Sequence, residues 1–252
     1  MGRKKREWPL FFLCLSAALY GLALIFSATR YEETLHGLVG KQAVALGGGV
    51  VLCLLLSVLD VRKLLEKLWW LLPVVNVGLL LLLVPLGNDD GTGNKSWISL
   101  PGGGFNLQPA EVVKISFLLL LALQLRKLGE KGLNRPKAVF LLLLHVLALC
   151  ALLYGVSGDI GMVAVYLAVY LVMLWSAGVH PLWLLGEVAA GVGAVVLLWP
   201  RLPEYVRMRF LVVFDHGLDP LGKGFQQERS LLAIGSGQVT GQGYLQGTQT
   251  QS

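Results

Sequence analysis

The stretch FFLCLSAALYGLALIFSA, Phe11–Ala28, carries no charged side chain, and neither does LLPVVNVGLLLLLVPL, Leu71–Leu86. As helices, such runs approach the roughly 20 residues needed to cross a hydrocarbon core of about 30 Å. Of the 252 residues, 55% are hydrophobic and 14% charged, where an average soluble domain is roughly a quarter charged. A soluble fold could not hide that much apolar surface. The chain therefore reads as all-α, a polytopic helical membrane protein. Arg3, Lys4, Lys5 and Arg6 ahead of the first run resemble the start of a signal peptide. No small-x-small cleavage site followed by a soluble domain accompanies them, so the run is kept as a transmembrane helix.

Working outward, the pattern predicts about seven spans: Pro9–Ala28, Gln42–Leu59, Leu68–Leu86, Pro109–Leu125, Ala138–Val156, Ile160–Gly178 and Pro181–Trp199. A cytoplasmic N-terminus puts Arg3–Arg6, then Arg62, Lys63 and Lys67, then Arg126, Lys127, Lys131, Arg135 and Lys137 inside. Only Arg30, Lys41 and Lys95 fall on the short outer segments. That is the bias expected of cytoplasmic loops. The division read from this topology is a bundle over residues 1–199, with an outer loop at 87–107, followed by an extracytoplasmic loop at 200–252. The formal charge of +6 is concentrated beside spans, where anionic lipid and topology explain it better than nucleic acid. Cys14, Cys53 and Cys150 lie inside apolar runs, with no disulfide framework and no metal-ligand spacing.

Several polar residues stand out against this background. Glu111 and Lys114 are spaced i, i+3 at the start of the fourth span, and read equally as a structural ion pair or as the lining of a functional cavity. Asp159, beside Gly158 and Gly161, reads first as a turn and helix-capping residue. Glu187 calls for a partner across a close helix contact, and His145 reads as a hydrogen-bonded packing residue. The densest polar segment is Arg207–Gly243. There Asp219 stands among Arg207, Arg209, Lys223 and Arg229, a neighbourhood suited to an anionic lipid headgroup, with one carboxylate available as a base. The glycines at 235, 237, 241 and 243 could bring backbone N–H groups to a phosphate, although GxG spacing alone is a weak signal.

Three motifs carry a family resemblance. LDPLGKGFQQERSLLAIGSGQVTGQGYLQGTQTQS, Leu218–Ser252, closely resembles the extracytoplasmic loop of the SEDS family (shape, elongation, division and sporulation), with branches RodA, FtsW and SpoVE. NKSWISLPGGGFNLQPAEVVKI, Asn94–Ile115, is similar to the family's outer loop and following helix start. SGDIG, Ser157–Gly161, is similar to its Gln-Pro-Asp-Leu-Gly turn, with Ser157 and Gly158 in place of Gln-Pro. The GSGQVTGQG ending is closest to the RodA branch. Measured against the family, the sequence is expected to lack the C-terminal third.

The resemblance implies a peptidoglycan glycosyltransferase of the bacterial plasma membrane that polymerises lipid II by inverting transfer, with release of undecaprenyl pyrophosphate. It would act in elongation, division or sporulation beside a class B penicillin-binding protein. By motif position Asp219 would be the catalytic base, and Trp97, Glu111 and Lys114 would bind substrate. Arg207, Arg209 and Lys223 would hold pyrophosphate, with a divalent cation, Mg or Mn, as a candidate helper. The alternatives are a lipid II flippase, which needs no base, and a catalytically silent scaffold for a penicillin-binding protein.

Overall fold

In a computed structural model, the structure describes residues 8–30, 36–88, 94–100, 105–202, 204–215, 218 and 223–247, without the side chains of residues 36, 205, 209, 213, 223 and 226. Helices occupy every expected span: α1 (Trp8–Thr29), α2 (His36–Val58), α4 (Leu71–Leu81) with α5 (Leu83–Leu86), α6 (Pro109–Gly129), α7 (Pro136–Ser157), α8 (Ile160–Ser176) and α9 (Pro181–Leu198). A short helix that the sequence reading did not anticipate, α3 (Val61–Leu68), precedes α4. Beyond α9, a turn of 3-10 helix leads to α10 (Glu204–Phe214) and α11 (Lys223–Gly237). The stretch read as loop therefore carries two helices, and Gly235 and Gly237 belong to the second of them.

Among the described residues four helices, α1, α2, α7 and α9, are each long and apolar enough to cross a membrane. The pair formed by α3 and α4–α5 is a fifth candidate, bent by 81° at its break. Of the remaining two, α8 has 17 residues, and α6 carries Glu111, Lys114, Arg126 and Lys127 within its 21 residues. Local chemistry explains the boundaries. Pro109 and Pro136 open α6 and α7, where the missing N–H is not needed. Gly158 closes α7 with φ 71°, a left-handed conformation that other residues adopt only with strain. Pro85 has no N–H to offer the Leu81 carbonyl, which accounts for the step between α4 and α5.

The chain forms two compact units, Asp60–Ala194 and Met1–Leu59 with Val195–Ser252. In the first, α4 packs along α6, and α6 also meets α7 and α8. Phe117, Leu121, Leu142, Val146, Tyr166 and Tyr170 are buried between them. Ser116 Oγ donates to Asn76 Oδ1 across the α4–α6 contact, and such an interhelical bond is worth roughly 0.6 to 2 kcal/mol in a membrane. His145 Nδ1 lies 2.7 Å from Gln124 Oε1, and Tyr170 donates its hydroxyl to Glu187 Oε1 at 3.1 Å, so both residues meet the packing role expected of them. In the second unit α1 packs on α2 and α10 on α11, and Leu245 N–H donates to Ser27 Oγ at 3.0 Å. Along α1 and α2 the hydroxyls of Ser16, Thr29 and Ser57 donate to carbonyls of their own helices. Large apolar side chains such as Leu13, Phe26, Val51 and Leu55 face outward. Both features suit a hydrocarbon environment, which offers no water to satisfy polar groups.

Candidate functional site

The segment expected to form an outer loop carries a small antiparallel sheet of β1 (Gly87–Asn88), β2 (Trp97–Ser99) and β3 (Asn106–Leu107), in that spatial order. Gly87 pairs with Ile98, and Ile98 with Leu107. A Cβ at Gly87 would collide with the Leu83 carbonyl oxygen, which explains glycine where α5 passes into the strand. A polar row crosses the three strands: Asn88 Nδ2 donates to Ser99 Oγ at 2.8 Å, and Ser99 Oγ to Asn106 Oδ1 at 3.1 Å. Ile98 points into the core, so its neighbour Trp97 points the other way and is partly exposed, as strand alternation requires.

A second set of bonds ties this loop to the turn between α7 and α8. Lys95 N–H donates to the Ser157 carbonyl at 3.1 Å, and Ser96 Oγ to Asp159 Oδ2 at 3.3 Å. Asp159 Oδ1 accepts from Met162 N–H at 3.1 Å. Asn94, Ser96 and Ser157 are all buried. Asp159 is thus the N-cap of α8, as expected, and also the post to which the outer loop is fixed. The SGD sequence signalled the cap, but nothing in it signalled the partner sixty residues upstream.

From β3 the chain turns through Gln108 into α6, and the first turn of α6 is pinned by the Tyr166 hydroxyl donating to the Ala110 carbonyl at 2.7 Å. There Lys114 Nζ donates to both oxygens of Glu111 at 2.8 Å. The Lys114 side chain is 21% exposed and that of Glu111 54%, so the ammonium is largely withdrawn while the carboxylate keeps an open side. A two-pronged, charge-assisted contact offsets the desolvation of the lysine. The fold therefore brings Trp97, Glu111 and Lys114 to one end of the same unit.

The other predicted site residues belong to the second unit. Arg207 lies on α10, and its Nε is buried without a hydrogen-bond partner among the described residues, as is Gln227 Oε1 on α11. Arg209 also lies on α10 and Lys223 opens α11, with their side chains outside the description. Asp219 lies outside the described residues. Among the described residues no group of three His, Cys, Asp or Glu side chains is arranged to hold a metal ion.

Comparison with known proteins places these features in context. The family model FTSW_RODA_SPOVE, described as cell cycle protein, matches residues 8–252. The chain is 30% identical, over 96% of its length and 66% of the relative's, to the probable peptidoglycan glycosyltransferase FtsW of Geobacter metallireducens. To the Haemophilus influenzae protein of the same name it is 34% identical over 66% of this chain and 41% of the relative. Its fold superposes with TM-score 0.73 and 30% identity, over 92% of this chain and 66% of the other, on a structure concerned with coordination of polymerization and crosslinking by a peptidoglycan synthase complex. On the rod shape determining protein RodA of Thermus thermophilus the TM-score is 0.60 at 27% identity, covering 77% of this chain and 60% of the other. The chain spans about two thirds or less of the length of these proteins.

Proposed function

This chain belongs to the FtsW/RodA/SpoVE family of cell cycle proteins, and from that premise we propose that it is a peptidoglycan glycosyltransferase polymerising lipid II. Family and apolar helices together make it a multi-pass protein of the bacterial cell membrane. The observation that most supports the reading is the Glu111–Lys114 pair, held by both carboxylate oxygens at the head of α6 beside the Trp97 strand.

In the proposed reaction, Asp219 takes the proton of the acceptor's sugar hydroxyl as that oxygen attacks the donor's anomeric carbon from the opposite face. The new C–O bond forms while the bond to pyrophosphate breaks, and configuration inverts. Undecaprenyl pyrophosphate leaves as a stable anion and needs charge stabilisation rather than a second acid, which is why one carboxylate suffices where hydrolases of sugars use two. Arg207, Arg209 and Lys223 hold the pyrophosphates, and the Arg207 Nε, buried without a partner among the described residues, supports that role. Trp97, Glu111 and Lys114 bind the lipid-linked sugar at the membrane surface. A class B penicillin-binding protein supplies the crosslinking, in line with the peptidoglycan synthase complex that the fold resembles.

The same ion pair in a transmembrane helix also favours a second reading, a lipid II flippase, because ionisable groups at membrane depth often line transport paths. Two assays on one preparation separate them. With purified protein and lipid II in detergent, a polymerase forms glycan strands, and Glu111→Ala or Lys114→Ala lowers that rate. A flippase forms none in detergent, yet moves lipid II across the bilayer of sealed vesicles. Vesicle transport without strand synthesis would overturn the polymerase.

A further inference from the structure

Roughly 20 Å along α6 from Glu111, a second charged site occupies the other end of the same unit. Arg126 Nη1 donates to Glu66 Oε1 at 2.8 Å, and Arg62 Nε reaches the same oxygen at 3.3 Å. Lys127 Nζ stands 4.6 Å from the centre of the Trp69 ring. Glu66, Trp69, Leu123, Arg126, Lys127 and Glu130 together line a cavity of about 310 Å³. None of these groups takes part in the sugar transfer proposed above.

Position and charge narrow what the cavity can hold. Helix α3 leaves the α4–α5 span at 81° and alternates Leu64, Leu65 and Leu68 with Arg62, Lys63, Glu66 and Lys67. A helix of that kind lies along the bilayer surface rather than through it. Trp69 and Trp70 at the bend are exposed, as residues of an interfacial aromatic belt are. The cavity is therefore at headgroup depth. Glu66 is engaged by two guanidinium groups, whereas Glu130 makes no ion pair among the described residues. Lys127 in the last turn of α6 and Glu130 at its C-cap, spaced i, i+3, bring an ammonium and an open carboxylate to the same cavity. A simple anion would meet two carboxylates here, and a simple cation would meet two bases. A ligand bearing a phosphate and a primary ammonium a few atoms apart satisfies both sets.

We infer that this cavity binds the phosphoethanolamine headgroup of an aminophospholipid. The phosphate sits against Arg126 and Lys127, the ammonium donates to Glu130, and the acyl chains run past Trp69 and Leu123 into the bilayer. The test is native mass spectrometry of the delipidated chain titrated with phosphatidylethanolamine, phosphatidylcholine and phosphatidylglycerol of matched chains. Phosphatidylethanolamine is expected to be retained about five-fold better than either competitor, the ratio worth one exposed ion pair. Phosphatidylcholine has no N–H to donate, and phosphatidylglycerol has no ammonium. Glu130→Gln, at an exposed position, is expected to erase that preference while leaving overall lipid retention intact, and Lys127→Gln to weaken phosphatidylethanolamine and phosphatidylglycerol together. Strongest retention of phosphatidylglycerol would overturn the proposal in favour of a merely basic surface. Equal retention of all three, or a preference unchanged in Glu130→Gln, would overturn it too and leave the cavity to a protein segment.

Discussion

Lys114 shows how a single charge is kept at the edge of the hydrocarbon. Its ammonium is largely withdrawn from solvent and is answered by both oxygens of Glu111. Removing one partner strands the other, and stranding a buried charge costs roughly 3 to 5 kcal/mol, far more than losing a surface pair. Glu111→Leu is therefore expected to lower thermal stability in detergent more than Lys114→Met, because the first strands the withdrawn ammonium whereas the second leaves a carboxylate that keeps a solvent-facing side. Melting curves of the two variants check this order. Asp159 is a second such residue, since it caps α8 and receives the Ser96 hydroxyl. Loss of an N-cap typically costs about 1 kcal/mol. Asp159→Ala is expected to lower stability by roughly that amount and also to open the outer loop, read as faster proteolytic cleavage within residues 87–107.

Among the elements, α3 and the end of α6 are joined by charge, and that bond has a pH signature. Hydrogen bonds from Arg126 and then Arg62 hold the Glu66 carboxyl below its ordinary value of 4.5. A depressed carboxyl stabilises the fold above its unfolded value, and the contribution fades as pH falls through the lower folded value. Thermal stability in detergent is therefore expected not to vary with pH through Glu66 near neutrality, to fall with acidification below 4.5, and to fall less steeply in Glu66→Gln. The sheet carries its own test: Gly87→Ala forces a Cβ against the Leu83 carbonyl and is expected to destabilise by roughly 1 to 3 kcal/mol, seen as a lower melting temperature. Much at this scale was legible beforehand. Apolar length set the spans, and Pro109 marked where α6 begins, whereas α7 opens at Pro136, two residues before the expected start at Ala138. What could not be read were elements made by contacts distant in sequence. The three strands are two or three residues long and exist because Ile98 is buried and Ser96 reaches Asp159. Helix α3 was absorbed into a charged linker because eight residues give too short a period to separate an interfacial helix from a loop.

For the whole molecule, the apolar helices and the family make a multi-pass bacterial membrane protein, and the distribution of lysine and arginine predicts its N-terminus inside and residues 87–107 outside. In a background with Cys14, Cys53 and Cys150 changed to Ala, a membrane-impermeant thiol reagent is expected to label Asn106→Cys in intact cells and Lys67→Cys only after lysis. The reverse pattern would invert the topology. The site was legible to a different degree in its two parts. The Glu111–Lys114 pair followed from spacing, and the structure supplies its geometry. Arg207 was named from its charge, but helix α10, which carries it, was hidden inside a stretch whose glycines and charges read as loop, and Asp219 rests on motif position. That residue is accordingly where the central claim is most exposed. The direct measurement is conversion of lipid II into glycan strands by purified wild type and Asp219→Ala in parallel. A positioned base contributes about 10² to 10⁴ in rate, so the variant should lose at least a hundredfold while remaining folded and still binding lipid II. Strand synthesis at the wild-type rate in Asp219→Ala would contradict the base role on which the proposed reaction depends.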